Sequence, residues 1–180
     1  GNSVSLPVPT DNTGLISYSL VSVRDASSTA CEQSQTGTAE IRVNPLPQAS
    51  ISGSTAVCQD DVSPNITFTG SSGTSPYTFT YTINGGSNLT ISTAAGSNSI
   101  NVPVPTGTPG SYVYELVSVM DGSASSCVQA QSGSATVVVN PLPQASISGT
   151  TAVCRGDSPP QVTFTGSNGT APYTFTYTIN

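Results

Sequence analysis

Apolar residues alternate with Ser, Thr and other polar residues along most of the chain, in short runs rich in Val, Ile, Tyr and Phe. A period of two marks half-buried strands. Within residues 44–139 the alternation predicts strands at 49–51, 65–69, 77–83, 89–92, 99–104, 111–120 and 136–139. The fifth reads as an edge strand, because Pro103 cannot donate to a ladder. Turn-forming Gly, Asn, Asp and Pro separate the runs at 71–73, 84–86, 108–110 and 121–122. No stretch has helical periodicity, and no apolar run approaches the length of a membrane-crossing helix. About seven short strands with regular turns predict an all-β, immunoglobulin-like β-sandwich.

The pattern repeats. NPLPQASISG occurs at 44–53 and again at 140–149, an offset of 96 residues. The same offset relates Cys31 to Cys127, Cys58 to Cys154, Pro7 to Pro103 and Asp25 to Asp121, with no gap. Residues 44–84 match 140–180 at 32 of 41 positions, and 1–43 match 97–139 at 20 of 43. A 96-residue unit is too long for a solenoid turn and suits a small sandwich, so the chain reads as tandem domains. Residues 44–139 form one complete repeat, 1–43 the C-terminal half of another, and 140–180 the N-terminal half of a third. The two halves together lack only the equivalent of 85–96. Each junction, Val-Asn-Pro-Leu-Pro-Gln, carries two prolines in four residues and reads as stiff and extended. The chain opens on Gly with no signal-peptide pattern, as a mature or cut segment would.

Composition narrows the function. Only 35% of residues are hydrophobic and 7% charged, a balance that by itself suggests disorder. The ordered alternation argues against it. Net charge is −6, from nine acids and three Arg, with no Lys and no His. Without His there is no imidazole base, no Ser-His-Asp triad and no His-ligated metal. Without Lys there is no Schiff base and no Lys–Asn isopeptide staple. Three Arg cannot supply a basic footprint for nucleic acid. Scattered carboxylates and tyrosines are the remaining acid–base groups, so no enzymatic activity, cofactor or metal is expected.

Four cysteines without His or a C-x-x-C pair fit disulfides better than zinc, and with the low Lys content point to an extracellular, cell-surface protein. Cys58 precedes the second strand and Cys127 lies between the last two. Neither is mid-strand, so the expected bridge Cys58–Cys127 clamps one end of the sandwich, worth about 4 kcal/mol by loop entropy. Cys31–Cys58, across the junction, is the alternative pairing. Tyr77, Phe79 and Tyr81 share one strand face and Thr78, Thr80 and Thr82 the other. The aromatic face is expected in the core; a sugar platform, or a water-ordering Thr array, is the sharper alternative. The adjacent Asp60 and Asp61 point apart on an extended chain. They make a poor glycosidase pair and too sparse a calcium site. Arg155, Gly156 and Asp157 spell RGD in a loop beside Cys154, a candidate receptor-binding loop whose counterpart in the complete repeat is Gln59, Asp60 and Asp61. The N-x-[ST] sequons at Asn65, Asn88 and Asn168 carry little weight in so Ser/Thr-rich a chain.

The run from Cys58 to Asn84 (AVC…ITFTGSSGTSPYTFTYTIN), its copy from Cys154 to Asn180, and the segment SYVYELVSV.D…C…SGSATVVVNPLP resemble the Ig-like or PKD-like tandem repeats of very large Bacteroidota surface proteins. Many of these are exported by type IX secretion, and some are gliding-motility adhesins of the SprB type. The resemblance implies a structural stalk or spacer in a cell-surface adhesin or filament. Its partners would be neighbouring repeats of the same chain or filament, and surface glycans a further candidate. It implies no catalytic residues. Two other functions fit the same sequence: a glycan- or receptor-binding module acting through its loops, and a fibre subunit in which residues 140–180 of one chain complete residues 1–43 of the next.

Overall fold

The structure, a computed structural model, describes residues 2–180. Among them fifteen strands and no helix form. Residues 1–43 contribute β1 (Gly14–Ser19), β2 (Ser22–Arg24), β3 (Glu32–Ser34) and β4 (Thr38–Val43). The complete repeat contributes β5 (Gln48–Ser52), β6 (Thr55–Cys58), β7 (Asn65–Ser71), β8 (Thr78–Ile83) and β9 (Leu89–Ser92). It continues with β10 (Ser99–Pro103), β11 (Gly110–Met120), β12 (Val128–Ala130) and β13 (Ser134–Asn140). The last segment holds β14 (Gln144–Ser148) and β15 (Thr163–Ser167).

All seven strands expected in the complete repeat are present, and β6 and β12 are additional. One sheet runs β10-β7-β5, with β10 and its Pro103 at the edge. The other runs β6-β13-β11-β8-β9, and β12 also pairs with β11. Ladders are antiparallel except β6 on β13, which is parallel (Thr55 opposite Val137, Cys58 opposite Asn140). The chain crosses between sheets at Gly53. Its φ of 116° and the approach of the Asn65 carbonyl to where a Cβ would stand leave no room for a side chain there.

The sheets close on a core of alternating residues. Ile66 and Phe68 from β7 meet Phe79 and Tyr81 from β8, Leu116 and Val119 from β11, and Val137 and Val139 from β13. Phe68 stacks on Phe79 with ring centroids 5.6 Å apart. A register shift between Leu116 and Ser118 resets the alternation of β11, so Val119 rather than Ser118 turns inward. Every residue of this core lies between positions 66 and 139.

The two half-repeats keep the registers of the whole but not its core. Gly14 opposite Val43 reproduces Gly110 opposite Val139, and Gln144 opposite Ser167 reproduces Gln48 opposite Ser71. Their apolar faces stay open. Leu20 is 54% exposed where its counterpart Leu116 is 4%, and Tyr177 is 61% where Tyr81 is 7%. Sequence identity does not rescue secondary structure. YTFTYTI holds strand β8 at 78–83, yet the identical residues at 173–179 form no strand, because the equivalents of its ladder partners β9 and β11 are not beside them. The counterpart of β6 at 151–154 forms no strand either, since the equivalent of its partner β13 is not beside it.

This contrast predicts unequal costs for one substitution. Phe68→Ala should destabilise the complete repeat by about 3–5 kcal/mol, since it empties a fully buried site. Phe164→Ala, on an open face, should cost under about 1 kcal/mol. Urea unfolding of each variant, followed by circular dichroism, checks the pair.

Candidate functional site

The residues that distinguish this sandwich gather at its two poles. At the leading pole the incoming segment 44–47 lies against the loop 121–127. Asp121, directly after β11, is 2% exposed. Its Oδ1 accepts the Cys127 N–H (2.9 Å), the Ser123 hydroxyl (2.8 Å) and the Ser123 N–H (3.4 Å); its Oδ2 accepts the Thr74 N–H (3.1 Å). Burial works against the charge, but the donors from Thr74, Ser123 and Cys127 outweigh it and hold the carboxyl below its ordinary value. Asp25 builds the same loop in residues 1–43, accepting from Ser27 and the Cys31 N–H. There the Thr29 and Ser27 hydroxyls hold the Cys31 thiol below its usual value. Asn44 ties the junction to this loop: its Nδ2 donates to Ser125 Oγ (2.7 Å), which lies 3.4 Å from Cys127 Sγ.

The trailing pole is built around Cys58, the last residue of β6. Its N–H donates to Asp61 Oδ2 (2.9 Å), and the Asp61 N–H donates back to the Cys58 carbonyl (3.2 Å). The Gln59 N–H donates to the Asn140 carbonyl (2.7 Å), and the Thr106 hydroxyl to the Asp61 carbonyl (2.6 Å). Asp61 thus closes a turn, and its neighbour Asp60 sits at φ 65° in the same turn. In the next repeat Asp157 does what Asp61 does: its Oδ2 accepts the Cys154 N–H at 2.8 Å. Arg155, Gly156 and Asp157 are exposed, and the Asp157 carboxylate is engaged within its own turn.

The poles lie at opposite ends of the complete repeat. Cys58 stands beside Asn140, one step past the Val139–Gly110 pair that starts β11, while Cys127 follows the far end of that strand. Ten residue steps at about 3.3 Å put roughly 33 Å between them. A disulfide needs Cα atoms within about 7 Å. The expected Cys58–Cys127 bridge therefore does not form, and all four cysteines are free thiols. Cys31 is equally remote from the junction that follows Val43, so the alternative Cys31–Cys58 pairing is not made either.

Of the other candidates, Tyr77, Phe79 and Tyr81 are buried as core residues, which removes the sugar platform. Thr78, Thr80 and Thr82 line the outer face, where Thr78 bonds Ser92 and Thr82 bonds Glu115. Among the described residues no cluster of three or more Cys, Asp or Glu is placed to hold a metal. A groove of about 630 Å³ lies over the open face of residues 1–43, lined by Leu6, Val8, Tyr18, Leu20 and Ile41 among others. Compared with known proteins, the chain matches no family model and no curated sequence.

Asp121 and Asn44 were not singled out by the sequence. Both recur at the repeat offset, as Asp25 and Asn140, and that recurrence among variable loop positions was their one signal. Asp121→Asn should lower the stability of the complete repeat by about 2–3 kcal/mol at pH 7, because it removes a charge that four donors were arranged to meet. Its folded pKa lies below the unfolded value of about 3.9, so its contribution is complete above that pH and lost as pH falls through the folded pKa. Urea unfolding between pH 7 and 2 should show an acid-dependent loss in the parent that is shallower in Asp121→Asn.

Proposed function

We propose that this chain is a run of structural stalk or spacer repeats in an extracellular cell-surface adhesin or filament. The observation that carries the reading is the placement of the poles. Each repeat takes the chain in at one end of the β11–β13 hairpin and releases it at the other, with Asn44 bonded at the leading pole and Asn140 at the trailing one. Units joined that way by a stiff Pro-x-Pro segment follow one another end to end. The linker meets the same loop twice: Pro47 lies against Gly73 and Pro143 against Gly169.

Composition supports the same reading. The surface is rich in Ser and Thr and poor in Lys and Arg, which leaves few sites for trypsin-like proteases. Immunoglobulin-like topology, a type IX export route and a place in gliding motility belong to this proposal through the family resemblance. The partners it calls for are neighbouring repeats, with surface glycans reserved for segments that carry a binding face. No helix of the described residues is long and apolar enough to cross a membrane.

The open half-repeats favour one second reading. Val162, Phe164, Phe175 and Tyr177 present the half-core that Val8, Leu20, Val23 and Ile41 lack, as the buried Ile66, Phe68, Phe79 and Tyr81 show opposite Val104, Leu116, Val119 and Val137. A fibre of short chains completing one another uses that complementarity. The reducing, denaturing mass of the native polypeptide separates the two: several hundred kDa supports one long array, and about 18 kDa supports the subunit.

The stalk itself predicts a linear relation between repeat number and length. Proteins carrying one, two and four complete repeats should lengthen by about 35–40 Å per repeat in small-angle scattering, at constant cross-section. Growth in thickness, or a radius typical of a collapsed globule, would remove the reading.

A further inference from the structure

The four free thiols acquire a role once the two junctions are superimposed on their identical NPLPQASISG sequence. At the second junction Asn140 is the ladder partner of Cys58, in a parallel pair whose side chains share one face, and both residues are exposed there. At the first junction the equivalent residue, Asn44, reaches from its side chain to Ser125, and Ser125 touches Cys127. One asparagine thus has the trailing cysteine of the repeat before it at its backbone and the leading cysteine of the repeat after it beyond its side chain. Pro47 lies against Gly73 and Pro143 against Gly169, so the linker meets the equivalent downstream loop at both junctions.

We propose that each junction is a disulfide site, joining the trailing cysteine of one repeat (Cys58 and its equivalents) to the leading cysteine of the next (Cys127 and its equivalents). The bond staples successive repeats and closes no loop within a repeat. In residues 1–180 none of the four thiols meets such a partner: Cys31 and Cys127 are leading cysteines, Cys58 and Cys154 trailing ones, and no trailing cysteine is followed by a junction and a complete leading loop. The chemistry is thiol–disulfide exchange with a small disulfide such as oxidised glutathione. One thiolate attacks a sulfur of the oxidant and releases one glutathione thiol. The second thiolate then attacks the protein sulfur of the mixed disulfide and releases the other. Two protein thiols are oxidised, one glutathione disulfide is reduced, and the two protons go to the leaving thiolates. The Ser and Thr hydroxyls beside the leading cysteine, at Ser27 and Thr29 or Ser123 and Ser125, donate to the attacking sulfur.

The proposal rests on the end-to-end order of repeats but not on the stalk function, and its test separates the two. A protein of residues 44–139 followed directly by residues 44–140 has the native junction sequence and four cysteines. The core of each repeat is complete within it. Equilibrated with reduced and oxidised glutathione, it should lose two of its four thiols to Ellman's reagent. Peptide mapping should find one link, first-repeat Cys58 to second-repeat Cys127. Cys58→Ser in the first repeat should leave all three remaining thiols free. Four free thiols in a tandem protein with the circular dichroism of the single repeat would overturn the staple and leave the rod measured by scattering intact. A link within one repeat would overturn it as well. In the 180-residue chain kept monomeric by dilution, all four thiols should stay free, and a Cys58–Cys127 link there would be equally fatal.

Discussion

Closure of two sheets over Phe68, Phe79, Val119 and Val137 is the constraint on which the rest of the structure depends. Burial of those side chains, with Ile66, Val104 and Val139, is the main favourable free energy available to a chain this poor in apolar residues. Neither half of a repeat can supply it alone. The consequence is visible in one chain: identical heptapeptides are a strand at 78–83 and not at 173–179. Local propensity is the same in both places, and what differs is the presence of the two ladder partners, β9 and β11. At this position the strand depends on its ladder partners, not on its own sequence.

Polar groups take over where the core runs out. Asp121 sits at the leading pole, where the β11 ladder ends and the loop 121–127 would otherwise bury unpaired N–H groups. Asp61 does the same work at the trailing pole for Cys58. Among the described residues no buried side-chain N or O lacks a hydrogen-bond partner. A small sandwich with a thin core tolerates few such gaps, since leaving one buried donor unmet costs about 1–3 kcal/mol.

Much of this was legible in the alternation of residues. The strands at 65–71, 78–83, 89–92 and 99–103 follow directly from period-two patterning, and Pro103 announced its edge. β6 and β12 were not legible: β6 exists as a strand through β13, some eighty residues on, and β12 is a three-residue return onto β11, too short to show a period. The cysteines were misread for a related reason. Their spacing reports how many residues separate them, while the pole each occupies depends on which way β11 and β13 run between them. Asp60 and Asp61 were expected to make no working pair, but nothing in the sequence marked the Asp61 carboxylate as the group that closes a turn on the Cys58 N–H. The aromatic face, by contrast, was placed correctly in the core by its alternation with Thr.

The parallel pairing of β6 with β13 has a consequence for tension. The strand near the start of a repeat lies alongside the strand that ends it, over four register pairs from Thr55–Val137 to Cys58–Asn140. A pull applied at Asn44 and Asn140 draws the two poles apart along the strands and not across them. The hydrogen bonds of the ladder are then loaded together, in shear, rather than opened one at a time like a zip. Resistance to stretching is thereby set by a handful of backbone bonds that any sequence able to form the ladder provides, which frees the surface residues of the repeat to vary without weakening it along its axis.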